Sequence, residues 1–243
     1  MSLRLPVMVL LAAILAASVA APGIPSSYAL ASSGHGTAPG PVQTYNPCYG
    51  QSSKNNDWAG CDLSGMDLTF RDLAGINLSG ADLAGARLYG TDLRGADLQG
   101  ADMQGDNINN ADLAGANLEG SNLQWSDFYG ADLSGADFSG ARLAGSTFMY
   151  ADLSGADLQG VNFYHIWAGD ASFAGANLQN ANLSYSWLAG ANLTNANLVG
   201  ADLQDAYAGS SIMHGANLSG THVTDFETPT ADMSCHGSPV CKQ

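Results

Sequence analysis

From Leu63 to Val223 every fifth residue is apolar, and the frame never slips. The run comprises 33 five-residue units over residues 61–225, with no insertion or deletion. Their central residue is Leu in 22 units and Phe in five, namely Phe128, Phe138, Phe148, Phe163 and Phe173. Met103, Met213, Ile108, Val223, Ala168 and Ala208 fill the rest. Two residues before the centre stands Ala in 19 units, and one residue before it Asp or Asn in 24. Gly commonly closes the unit, as in Ala81-Asp82-Leu83-Ala84-Gly85.

A helix repeats its apolar face every 3.6 residues and a strand every two, so a strict period of five suits neither. It is not the 3.5-residue period of a coiled coil either. Gly and Asn in most units also oppose long helices. The pattern therefore predicts a chain that turns once per unit and points one apolar pair inward each time. Small Ala suits a crowded inner corner and Leu or Phe the middle, while Asp, Asn and Gly supply turn chemistry.

Units such as Ala96-Asp97-Leu98-Gln99-Gly100 and Ala176-Asn177-Leu178-Gln179-Asn180 carry a further reading. Over residues 61–225 the chain resembles the pentapeptide-repeat family, whose motif is A-[D/N]-L-x-x. The resemblance implies an all-β solenoid, a right-handed quadrilateral β-helix with four units per coil, about eight coils and short capping segments. At roughly 4.8 Å per stacked layer the rod would be about 40 Å long, and open end layers need caps.

The flanks read differently. Arg4 precedes the apolar run 5–21, and Ser18-Val19-Ala20 and Ala29-Leu30-Ala31 each fit a cleavage site, so residues 1–31 read as a secretory signal peptide. An N-terminal membrane anchor is the rival reading; the run is short for a span of ~20 residues and contains Pro6. Residues 32–60 read as a flexible leader and N-terminal cap, and 226–243 as a C-terminal cap and tail. Four cysteines, Cys48, Cys61, Cys235 and Cys241, flank the repeat and permit three pairings. Given a rod of the implied length, its two ends cannot be bridged, because bonded Cα atoms lie within about 7 Å. That leaves Cys48–Cys61 and Cys235–Cys241, each stapling a cap in an oxidising compartment. A metal site, or a buried free thiol at Cys61, is the competing reading.

The net charge is −15, and units 61–225 alone hold 19 acids against Arg71, Arg87, Arg94 and Arg142. Such a rod repels phosphates and anionic membrane surfaces. Asp at a fixed motif position also explains the charge through turn formation and solubility. If four units make a coil, residues twenty apart share a column. Three columns then carry Asp or Asn ladders, such as Asp72, Asp92, Asp112, Asp132 and Asp152. The fourth runs Asp67, Arg87, Asn107, Asp127, Thr147, Trp167, Trp187, Tyr207. All ten outward aromatics of the repeat map to this face or the corner before it, Phe70 and Tyr89 included. The candidate binding residues are Trp125, Tyr129, Tyr150, Tyr164, Trp167, Tyr185, Trp187 and Tyr207. Packing over a core thinned by Ala168 and Ala208 competes with partner docking as the reason for this divergence.

No nucleophile–base arrangement stands out, and His165, His214 and His222 fall on different columns. A straight Leu-filled rod offers neither a pocket nor two carboxylates in contrasting environments. Flat Asp ladders do not converge the six to eight oxygens that a tight Ca²⁺ site needs. No catalytic residue, metal or cofactor is therefore expected. Arg71 and Asp106 occupy inward positions; Arg71 is expected to snorkel toward the cap and Asp106 to bond backbone near Asn107, Asn109 and Asn110.

The expected function is an exported, non-enzymatic scaffold, secreted or in a bacterial envelope or periplasm. Its partner is an unidentified protein or a second copy of itself, with no direct nucleic-acid binding and no membrane span after signal cleavage. Family resemblance also implies an alternative, a DNA mimic that occupies and protects a type II topoisomerase, which export would prevent. Glycan binding on the aromatic ladder is the second alternative.

Overall fold

Parallel bridges join Asp62 to Asp82, Asp67 to Arg87, Asp72 to Asp92 and Asn77 to Asp97, and the same twenty-residue step continues to Asp202–His222. Four units thus complete one turn, and coil stacks on coil as a right-handed quadrilateral β-helix. The structure, a computed structural model, describes residue 48 and residues 57–223. The expected signal peptide, leader, C-terminal tail and Cys235–Cys241 pair lie outside the described residues. The described residues all belong to one compact unit, Thr44–Gln243.

One unit shows why the motif has its form. Asp82 N–H donates to the Cys61 carbonyl of the preceding coil (2.8 Å), and Leu83 N–H to the Asp102 carbonyl of the next (2.7 Å). Gly85 N–H reaches the Gln104 carbonyl (3.0 Å), and Ala86 N–H closes the turn on Leu83 (2.7 Å). The one remaining amide, Ala84 N–H, donates to the Asp82 carboxylate at 3.0 Å. Every N–H of the unit is thereby satisfied, the last only because Asp or Asn precedes the central residue. Asn adds a second bond. The Asn117 side-chain amide donates to Asp97 one coil away (3.1 Å), as Asn177 does to Asp157 (3.0 Å). Alternating Asp and Asn thus turns a repulsive column into a bonded one.

The interior is a column of Leu, Phe and Ala, almost wholly excluded from solvent. Burying each Leu contributes about 1.5–3 kcal/mol. Large rings stand in the walls on either side of Ala168. Phe163 and Phe173, from the two flanking walls of that coil, bring their rings within 6.3 Å of each other, and Phe148 above approaches Phe163 at 5.6 Å. Inward Ser126 donates to the Met103 carbonyl (2.6 Å) and Ser146 to the Leu123 carbonyl (2.7 Å), whereas the buried Ser211 hydroxyl has no partner. Arg71, at a nominally inward position, is exposed.

The register begins one unit earlier than expected. Asp57 bridges to Asn77, and Trp58, at the central position, is half-buried against the core. Trp at the centre conceals this unit from the Leu/Phe pattern. Cys48 and Cys61 form a disulfide with Cα atoms 6.0 Å apart. Inward Cys61 is therefore bridged rather than free, and ties the chain preceding the first coil to the core.

Candidate functional site

The face built from units 66–70, 86–90 and onward departs from the ordinary unit in two ways, both visible in the backbone. The first is the loss of the side-chain acceptor. Trp167 and Trp187 stand where Asp or Asn normally receives the turn amide, and indole offers no acceptor. Two successive coils forgo a bond worth about 0.5–1.5 kcal/mol each.

The second is left-handed backbone. The last residue of every described unit has positive φ: Gly in 22 cases and another residue in 11. Nine of those 11 lie on the two corners that border this face. Trp125, His165, Tyr185 and Asp205 precede it; Phe70, Asn110, Tyr150, Asp170 and Ser210 follow it. The other two, Asn180 and Asn195, belong to a residue type that tolerates this region. A left-handed backbone costs an ordinary L-residue about 1–2 kcal/mol, so placing large rings there runs against local preference.

The structure places the eight sequence-predicted aromatics in four groups rather than one sheet of rings. Trp125 is the most exposed of them, at 67 %. Its ring lies over Gly145 of the next coil, in space that any side chain at 145 would occupy. Phe70 covers Gly90 in the same way and meets Tyr89 edge-on at 5.4 Å. These rings shield glycine backbone, a packing role. Tyr129 and Tyr150 form an edge-to-face pair at 5.3 Å.

The remaining five lie toward the C-terminal end. Trp167 stacks on Trp187 at 6.0 Å with planes 28° apart, and Trp187 on Tyr207 at 4.4 Å. Room for this ladder comes from Gly169, Ala189 and Gly209 beside it; the Trp187 pyrrole edge lies against Gly169. Trp167 and Trp187 remain 45 % and 42 % exposed, and Tyr207 is half-buried. On the preceding corner Tyr164 meets Tyr185 edge-on at 5.7 Å and lies beside His165. A hydrogen bond to Asp205, reinforced by that carboxylate's charge, holds the Tyr185 phenol above its usual range. Trp187 has a ring on either side, Trp167 stacked and Tyr207 tilted by 31°, and the Tyr207 ring lies over Gly209.

Acid chemistry elsewhere is structural. Asp67 lies well below the ordinary carboxylate range, at about 2, through hydrogen bonds from Thr69 and Arg87. Asp106 does not bond within its own Asn cluster as expected. It accepts the Ala86 amide of the preceding coil (2.9 Å), its Oδ2 has no partner, and burial pushes it up to about 8. Among the described residues no group of three His, Cys, Asp or Glu is placed to hold a metal ion.

Asp170, Asp205 and His165 were not singled out from the sequence as parts of this face. The signal was present: each replaces a unit-final Gly, and the replacements cluster on two columns.

The trypsin-treated form of QnrB1, a plasmid-mediated fluoroquinolone resistance protein, aligns with a TM-score of 0.51 at 20 % identity, over 69 % of this chain and 84 % of that one. HetL from Nostoc sp. strain PCC 7120, involved in heterocyst differentiation regulation, aligns at 28 % identity over 73 % of this chain and 88 % of its own, with a TM-score of 0.34. No curated sequence matches the chain. The pentapeptide-repeat profile matches in eight copies, including residues 72–105, 126–163, 171–207 and 188–225. Ranges 126–163 and 171–207 flank residues 164–170, the stretch that carries Tyr164, His165 and Trp167. The chain belongs to the pentapeptide-repeat family.

Proposed function

We propose that this protein is an exported, non-enzymatic scaffold that binds a protein partner through the C-terminal half of its aromatic face. One observation carries the reading. Trp167, Trp187, Tyr185 and Asp205 replace the residues that favour the fold, a turn acceptor or a left-handed Gly, and gather on one exposed strip. Departures from local preference that cluster in this way are characteristic of functional surfaces. Aromatic anchors dominate protein interfaces. Export is supported by the apolar N-terminal run and by the Cys48–Cys61 disulfide. Glycan binding has less support, since sugars stack on open ring faces and Trp187 has a ring packed on either side. An exported chain would not meet a cytoplasmic topoisomerase, the partner implied by the DNA-mimic alternative.

Photo-crosslinking from benzoylphenylalanine at position 167 or at position 137 tests this reading, carried out in the native host with the exported fraction separated. A product specific to position 167, recovered with a processed N-terminus, supports it. Equal products from both positions, or products confined to unprocessed cytoplasmic chain, overturn it.

A further inference from the structure

Resting on that docking role, the charge around the ladder points to the chemistry of the partner. Every Arg of the repeat lies at or before Arg142. In that half several carboxylates of the aromatic and neighbouring faces have cationic or amide partners. Arg87 pairs with Asp67, Arg94 with Asp92 (2.5 Å) and Asp112 (3.5 Å), and the Asn109 amide donates to Asp127 (2.9 Å). Between Leu143 and Val223 there is no Lys or Arg at all, while Asp152, Asp157, Asp170, Asp202 and Asp205 remain.

Three of these carboxylates border the ladder. Asp170 closes the unit containing Trp167 and stands on the following corner, its carboxylate above Gly190. Asp202 and Asp205 belong to the unit that leads into Tyr207, and Asp205 stands one coil on from Tyr185 in the same column. The strip is thus apolar along its middle and anionic along both margins, with no Lys or Arg nearby; His165 stands on the preceding corner and His222 Nδ1 lies 3.9 Å from Asp202.

We infer that the Trp167–Trp187–Tyr207 strip accepts a cationic amphipathic polypeptide segment, with apolar side chains on the ring edges and Lys or Arg on Asp170 and Asp205. A second copy of this chain is a poor occupant, because it would set these carboxylates against their own counterparts with nothing to neutralise them. Anionic surfaces and nucleic acids are repelled for the same reason. A neutral apolar segment would leave the two acidic margins unmatched. Complementary charge steers encounter and sets register, while the buried ring contacts supply most of the affinity.

Three synthetic amphipathic peptides of about five helical turns serve as probes: one of Leu and Lys, one of Leu and Glu, one of Ser and Lys. Binding to the processed, oxidised protein is followed by calorimetry and by the indole N–H resonances of Trp167 and Trp187. The Leu/Lys peptide is expected to move both resonances and to bind about tenfold more tightly than either other peptide. Asp170→Asn with Asp205→Asn is expected to weaken it about tenfold, as is a rise from about 0.05 to about 0.5 M salt. The double variant keeps both Tyr185 and the left-handed backbone, so circular dichroism should show an unchanged fold.

Equal binding of the Leu/Glu peptide overturns the charge argument. Equal binding of the Ser/Lys peptide, or resonance shifts confined to Trp58 and Trp125, shows that the acid ladders alone attract cations and overturns the assignment to this strip. If the Leu/Lys peptide fails to bind while position 167 still crosslinks to a host protein, only this inference falls. If both fail, the docking role falls with it.

Discussion

Tyr185 and Asp205 stand one above the other in successive coils, the carboxylate holding the phenol above its usual range, and both hold left-handed backbone, at φ 58° and 54°. The corresponding corner of the first three coils is Gly65, Gly85 and Gly105. Conformational preference would keep glycine there throughout. The side chains that replace it border the Trp167–Trp187–Tyr207 ladder, the strip proposed to receive a partner.

The covering role has a direct test at Trp125. Gly155→Ala places a methyl in open space and is expected to cost only the left-handed penalty, about 1 kcal/mol. Gly145→Ala meets the Trp125 ring as well and should cost a further 1–2 kcal/mol or so. Adding Trp125→Ala should abolish the difference. Urea denaturation of the four variants measures the coupling, and an equal cost at both glycines would show that the ring does not cover Gly145.

The Asp columns permit a second prediction. Asp132 receives the Ser134 amide at 2.9 Å and lies in a column of carboxylates that continues through Asp112 and Asp152. Asp132→Ala removes the acceptor and should cost about 1 kcal/mol. Asp132→Asn keeps it and adds a donor toward Asp112, as Asn117 does toward Asp97, so it should stabilise by about 0.5 kcal/mol. Opposite signs for Ala and Asn in thermal melts at low salt are the expected result.

Asp106 predicts an unusual pH dependence. Its folded-state value is raised from 3.8 to about 8 by burial, so between these limits the folded state binds more protons than the unfolded state. Its contribution to stability is therefore greatest in acid and is lost as pH rises from about 4 through about 8. Asp106→Asn removes this titration. The variant's stability advantage over wild type should grow from pH 5 to about pH 8 and level off above it, reaching a few kcal/mol in alkali. A difference independent of pH would place the ionised carboxylate in contact with solvent.

Reduction tests the N-terminal staple. Cys48 and Cys61 are separated by 13 residues, and closing a loop of that size stabilises by about 3 kcal/mol in the chain-entropy account. Dithiothreitol should lower Tm, and Cys48→Ser should lower it equally and abolish the response to reductant. No response in the oxidised wild type would mean that the segment around Cys48 adds nothing to the rod.

The coil was legible in the sequence because one period sets everything that repeats: inward Leu, Ala at the corner, Asp or Asn for the turn amide. Trp58 escaped it because a large ring at the centre breaks the Leu/Phe pattern. The candidate face was legible as a column but not as four groups. Trp125 and Trp187 both read as outward aromatics, and only ring orientation shows one lying over Gly145 and the other stacked between Trp167 and Tyr207. Asp205 and Asp170 gained meaning only when unit-final residues proved to be left-handed in every described unit.

The central claim is that the Trp167–Trp187–Tyr207 ladder is not needed to hold the rod together. Replacing all three with Asn restores the ordinary turn residue in three successive coils. Two ring contacts worth about 0.5–1.5 kcal/mol each are lost, and three turn acceptors worth about as much each are gained. The decisive measurement is the Tm of this triple variant by circular dichroism, with crosslinking from position 185 read on the same preparation. The account predicts a Tm equal to or above that of wild type together with loss of the crosslinked partner. A variant that unfolds, or melts about ten degrees or more below wild type, would show the ladder to be packing and contradict the account.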